Sequence, residues 1–179
     1  MSEIVLSRQL NSVPPVFLRK NHVLIVVMTP SGKFLLGKKS IYPEGISRLL
    51  GGGMDEGEEP AAAAARELAE ETGIRADQVT LLFLTTVKAE LDLPPQNHPS
   101  HVTFVTHIFM YQAAVESLTG HDDVESVVSL DTEAFEKLIS KYQQLSPMIE
   151  TPDFAWSDYG QVYGPIHQIA FDCVNKTKK

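Results

Sequence analysis

The chain has 179 residues, enough for one domain with a full core, and its 43% hydrophobic and 21% charged content is that of a globular protein. A net charge of −8 argues against a nucleic-acid partner held by bulk positive charge, and a single cysteine, Cys173, excludes an intrachain disulfide. The longest early apolar run, Val23 to Met28, is strand-sized, and neither a signal peptide nor a spanning segment is legible; a cytoplasmic location and no membrane partner are expected.

Residues 1–20 read as an N-terminal extension in which Ile4-Val5-Leu6 could form a short strand before Pro14-Pro15 breaks it. His22 to Met28 is a β-branched run, turned by Pro30-Ser31-Gly32 into a second strand, Lys33 to Leu36. A loop through Tyr42 to Gly45 leads to Leu49-Leu50 and the glycines Gly51 to Gly53. A helix is predicted from Pro60, well placed in a first turn, to the stop at Gly73. Its stripe of Ala61, Ala64, Ala65, Leu68 and Thr72 suits packing on a sheet, with Ala63 on the opposite, acidic face. Val79 to Lys88 reads as a strand. A polar loop follows from Ala89 to Ser100, stiffened by three prolines and suited to carrying specificity. A long strand from about His101 to Ala114, an acidic loop from Glu116 to Glu125 and a short strand, Val127 to Leu130, come next. Asp131 caps a helix to about Tyr142. Residues 145–164 read as irregular, and a last helix opens at Gly164-Pro165 with Ile166, Ile169, Ala170 and Cys173 on one face. Strands interleaved with helices predict a single α/β domain over 1–179, an α/β/α sandwich with a central mixed β-sheet.

On the predicted helix, Glu67, Glu70 and Glu71 stand at i, i+3 and i+4, so three carboxylates share one face. Like charges so placed repel, which makes sense if a cation sits among them. Oxygen ligands at this density suit Mg2+ or Mn2+ better than zinc. The charge pattern alone fits a solvated acidic face equally well.

The spacing around them is more specific. Gly52, Glu58, Arg66, Glu67, Leu68, Glu70, Glu71, Gly73 and Ile74 stand in register with G-x5-E-x7-R-E-U-x-E-E-x-G-U, where U is a bulky apolar residue. The segment Gly52 to Ile74 resembles the Nudix box of the Nudix hydrolases. The resemblance implies the Nudix fold and hydrolysis of a pyrophosphate bond in a nucleoside diphosphate derivative: a nucleoside triphosphate, a nucleotide sugar or an ADP-ribose type compound. It implies Glu70 and Glu71 as metal ligands, with Glu67 a third ligand or the base that takes a proton from water. Glu58 would bind metal through water or hold the loop. Gly51 to Gly53 would let the backbone approach the metal, with the Gly52 carbonyl as a ligand. Arg66 is read as orienting carboxylates, against an ordinary i,i+4 surface pair.

Outside the box, Lys38, Lys39 and Arg48 could meet phosphate oxygens or stand as solvated charges, and Lys39 and Arg48 are taken as the substrate contacts. Trp156 is the third, since its ring could stack on a base; the alternative is that Phe154, Trp156, Tyr159 and Tyr163 cover the sheet or the interface of a homodimer. Glu116, Asp122, Asp123 and Glu125 offer a further acid or a plain acidic surface, and His98, His101 and His107 are weaker substrate-contact candidates without zinc-site spacing. The partner expected is a small-molecule nucleotide. The competing function is a catalytically silent Nudix-like domain that binds a nucleotide and regulates another protein, although such domains usually lose box glutamates that are all present here.

Overall fold

The β-branched run that opens the domain forms the centre of the sheet. In the structure, a computed structural model that describes residues 3–96, 99–145, 149–151 and 154–177, strand β2 spans Asn21–Met28, with β1 at Ile4–Gln9 and β3 at Phe34–Lys38. Further along lie β4 (Leu81–Asp92), β5 (His101–Gln112) and β6 (Ser126–Leu130). They make one mixed sheet in the order β1-β4-β5-β2-β3-β6, in which β1 with β4 and β2 with β5 are parallel. Every β2 residue from His22 to Met28 is buried, as expected of a strand covered on both faces. Period-two alternation sends Leu24, Val26 and Met28 to one core and Val23, Ile25 and Val27 to the other.

Helix α1 (Pro60–Thr72) covers the second core through Ala63, Ala64 and Leu68. Helices α2 (Thr132–Gln143) and α3 (Trp156–Thr177) cover the first through Phe135, Leu138, Tyr163, Ile166 and Ala170. The three layers are the α/β/α sandwich expected. Pro60 opens α1 and Gly73 ends it at φ 71°, its N–H donating to the Ala69 carbonyl. The apolar stripe of α1 is rotated from the one predicted: Ala61 is exposed and Ala63 buried. That rotation turns Glu71 inward beside Leu68 and Thr72.

The C-terminal region departs most from expectation. Residues 156–163 are not irregular: α3 begins at Trp156 and runs through Pro165. Gly160 and Gly164 are not breakers but contact points. A Cβ on Gly160 would lie 2.2 Å from the Tyr142 carbonyl oxygen, so the missing side chain lets α3 approach α2. Burial of Trp156, Tyr159, Val162, Tyr163 and Ile166 along the same helix outweighs the hydrogen bond lost at proline. Two short antiparallel strands, β7 (Ile149–Thr151) and β8 (Phe154–Ala155), precede it. β1 lies outside the segment expected to form the main sheet, yet it is hydrogen-bonded along β4 as that sheet's edge. Among the described residues no helix is long and apolar enough to cross a membrane.

His167 pins α3 to the segment that leads into the glycines. Its Nδ1 donates to the Tyr163 carbonyl at 2.7 Å and its Nε2 accepts from the Leu49 amide at 3.1 Å, so the neutral ring is required. Burial pushes its pKa down to about 3. A depressed folded-state pKa means that the stability is present above pH 6.5 and is lost as pH falls towards 3, at about 1.4 kcal/mol per unit. Melting temperature should therefore drop between pH 6.5 and 5. His167→Gln should be less stable at neutral pH but show a shallower slope in that window; an unchanged slope would remove His167 as the cause.

Candidate active site

The chain just before α1 brings backbone to the acidic face of that helix. Residues 48–53 run antiparallel beside β2 and β3 through bridges pairing Ile25 with Leu50, His22 with Gly53 and Gly37 with Arg48. Gly51 adopts φ 127°, and a Cβ there would lie 2.3 Å from the Val23 carbonyl oxygen, so only glycine fits. At Gly52 a Cβ would lie 2.5 Å from Oε2 of Glu67. The glycines thus let backbone and carboxylates share a space that any side chain would fill.

That space is one end of a cavity of about 500 Å3, walled by Gly51 to Gly53, Glu67, Glu70 and Glu71. Glu71 is buried and accepts a 2.6 Å hydrogen bond from the Gly51 amide, and Lys39 lies 3.4 Å from its other oxygen. Burial raises its pKa, and the Arg48 charge offsets part of that rise. Glu67 is raised by the same cause, partly offset by Arg66.

Arg66 is the organiser of the box. Its Nε and Nη2 grip Glu58 in a two-pronged pair at 2.9 Å each. Its Nη1 donates to Glu67 at 2.9 Å and Glu70 at 3.0 Å, and Nη2 also donates to the Gly53 carbonyl at 3.0 Å. The grip holds the Glu58 carboxyl at a pKa of about 2. Glu58 is thereby paired with Arg66 and is not on the wall of this cavity. The Gly52 carbonyl accepts from the Val23 amide at 3.0 Å.

Among the described residues no three His, Cys, Asp or Glu side chains are gathered as a ready-made metal cage. The donors nevertheless fit a hard cation. Glu67 and Glu70 each have only one oxygen engaged by Arg66, all three box carboxylates reach one cavity wall, and burial leaves Glu67 and Glu71 short of compensating positive charge.

The other candidates divide. Lys39 is no free surface charge: it bridges Glu71 and, at 2.5 Å, Asp123. Arg48 is 8% exposed, donates to the Gly51 carbonyl and lies 5.5 Å above the Tyr163 ring, and makes no ion pair among the described residues. A buried guanidinium with Glu71 nearby but no carboxylate in ion-pair contact suits an incoming anion. Trp156 reaches the cavity wall but is 2% exposed, with its ring edge-to-face against Tyr42, Phe154 and Tyr159. Open stacking by Trp156 is therefore not what the packing offers.

Asp122 and Asp123 from the acidic loop reach the cavity. The loop is docked on α1 by the His121 amide, which donates to the Glu71 carbonyl, and Asp122 adopts φ 52°. Glu116 instead pairs with Ser31, and Glu125 is not on the wall. His101 is held by Glu90 and Asp92 on the exposed sheet, and His107 by Thr86; neither lines the cavity. His98 lies outside the described residues. The loop expected from Ala89 is shorter, since β4 runs to Asp92, and none of its described residues lines the cavity.

Arg19, His22 and Tyr42 line the cavity without having been singled out in the sequence, and Tyr159 of the aromatic tail lines it too. His22 was the most legible of them: a histidine heading an otherwise apolar run is a buried polar group in need of explanation. Burial pushes its pKa down to about 3, aided by the charges of Arg48 and Arg19.

The NUDIX domain family matches residues 18–150. An RNA pyrophosphohydrolase of Cereibacter sphaeroides is 39% identical over 72 residues, which are 40% of this chain and 44% of that protein. The chain thus matches less than half the length of this curated relative. The fold resembles that of the Escherichia coli dihydroneopterin triphosphate pyrophosphohydrolase, with TM-score 0.53 and 19% identity over 73% of this chain and 87% of that one. It also resembles a MutT protein from Methanosarcina mazei Go1, with TM-score 0.54 and 17% identity over 89% and 96% of the two chains. At these identities the two structures speak to the fold alone. The box in register, the sandwich around it and the match over residues 18–150 agree: this chain belongs to the NUDIX domain family.

Proposed function

We propose that the chain hydrolyses a pyrophosphate bond in a nucleoside diphosphate derivative, with Mg2+ or Mn2+ held by Glu70 and Glu71 and with Glu67 as a third ligand or the base. The observation that carries this reading is the cavity itself. Its wall presents three box carboxylates from a single helix face together with the buried Arg48, which makes no ion pair among the described residues. A divalent cation bound there would neutralise phosphate oxygens and lower the pKa of bound water.

The chain's own groups supply the rest. Arg48 and Arg19 offer positive charge to the anionic phosphates, while Lys39 is held by Glu71 and Asp123. Water attacks phosphorus, the bridging P–O bond breaks, and the proton passes to a carboxylate. Glu67 suits that task better than Glu58: its pKa is raised by burial, whereas Glu58 is held at about 2. Arg66 acts by positioning three of these carboxylates.

The curated relative above is an RNA pyrophosphohydrolase, but a chain of net charge −8 is poorly suited to a polyanion, which favours a free nucleotide. The test is a panel of nucleoside triphosphates, nucleotide sugars, ADP-ribose, dinucleotides and triphosphorylated RNA incubated with magnesium. Product analysis should show cleavage at a phosphoric anhydride in at least one free nucleotide. Nucleotide binding without cleavage anywhere in the panel would support the silent, regulatory reading instead.

A further inference from the structure

A second cavity, of about 380 Å3, lies between α2, the edge strand β6 and the segment 45–47. It shares no wall residue with the active-site cavity. The chain alternates between the two: Lys38 and Ser47 line this one, Lys39 and Arg48 the other. Helix α2 gives it one face, since Ala134, Lys137, Leu138 and Lys141 stand at i, i+3, i+4 and i+7. From β6 come Val128 and Leu130, two residues apart and so on one side of the strand.

The wall combines two kinds of surface. The buried Ile46 and Leu138 and the partly buried Val128 and Leu130 extend the first core to this edge of the sheet. Around them stand Lys38, Lys137 and Lys141, and no carboxylate lines the cavity. Lys137 is held by Glu133 at 2.6 Å, but Lys38 and Lys141 make no ion pair among the described residues. In a chain of net charge −8, a cavity whose only charged wall residues are cations inverts the field locally. Lys141 rests on the loop backbone: a Cβ on Gly45 would lie 2.6 Å from its Nζ.

We propose that this cavity is a binding site for a small amphiphilic anion, a carboxylate or phosphate monoester with a hydrocarbon body. The body packs on Ile46, Val128, Leu130 and Leu138, and Lys38 and Lys141 meet the head. A bare inorganic anion would leave the apolar floor uncovered, and a neutral hydrocarbon would gain nothing from the two lysines. A ligand with both parts uses both surfaces, and the volume is that of a small-molecule site. Lysine suits the head as a flexible point charge that does not demand the geometry of a planar fork. The site goes beyond the proposed hydrolysis and does not depend on it.

The experiment is calorimetric titration of the native chain with hexanoate and with hexyl phosphate. Acetate and inorganic phosphate serve as heads without a body, and hexanol as a body without a head. At least one of the two amphiphiles should bind about tenfold or more tightly than its own head and than hexanol. The tighter of the two names the head that the lysines prefer. Lys141→Glu, at an exposed position where folding is not at stake, should weaken that binding about tenfold or more by setting a like charge against the head. Ala134→Phe, which fills the cavity with a ring and leaves the charge unchanged, should weaken it as well. Binding of neither amphiphile, or binding of hexanol or the bare heads as tightly as the amphiphiles, would overturn the proposal. Full affinity in Lys141→Glu would overturn it too, because the anion would then sit elsewhere, the active-site cavity included.

Discussion

Glu70→Gln and Glu71→Gln should each lower turnover at least about a hundredfold, the scale of a lost transition-state electrostatic contact. The substitution keeps the shape and removes the charge. At Glu71 the side-chain oxygen that accepts from the Gly51 amide is retained, so the helix and glycine segment stay joined. Burial already disfavours the charged form of Glu71, so the metal-free Gln variant should melt no lower than the native chain. Lost turnover with retained stability is the signature of a functional carboxylate. Full turnover in both variants would contradict the metal-site reading.

Arg66→Lys should be nearly as damaging as Arg66→Ala, with metal affinity or turnover down about ten- to a hundredfold. The guanidinium makes two bonds to Glu58, one each to Glu67 and Glu70, and one to the Gly53 carbonyl. A lysine restores the charge but has a single nitrogen and cannot span these groups. An ordinary i,i+4 surface pair would instead be served by lysine, and wild-type metal affinity and rate in Arg66→Lys would show that Arg66 is no more than that.

The acidic end of the site was legible because its spacing is local. Gly52, Glu58, Arg66, Glu67, Glu70 and Glu71 lie on one helix and the loop before it, so sequence distance fixes spatial distance. The sheet was legible for a related reason: β2 is covered on both faces and reads as a continuous β-branched run. The remainder of the cavity is assembled from distant segments. Arg19 and His22 come from the start of the domain, Tyr42 from the loop after β3, and Trp156 and Tyr159 from α3. No local pattern encodes that meeting.

The departures from expectation have physical causes. Gly160, Gly164 and Pro165 carry the composition of a loop, yet the glycines mark where α2 and α3 touch, a tertiary fact that propensity does not contain. Lys39, taken from the sequence as a substrate contact, is placed by folding between Glu71 and Asp123, where it ties the acidic loop to the box helix. The proline-bearing loop reads as a specificity element by its composition, whereas the described aromatic wall comes from the C-terminal helix, the strand before it and Tyr42 in the loop after β3.

The central claim is that the carboxylates of α1 act through a divalent cation on a pyrophosphate bond. Its most direct test is the rate of nucleotide cleavage by chelator-treated protein as magnesium or manganese is added back. The account predicts no cleavage in excess chelator, and cleavage that rises with metal and saturates. Undiminished cleavage in excess chelator would contradict it.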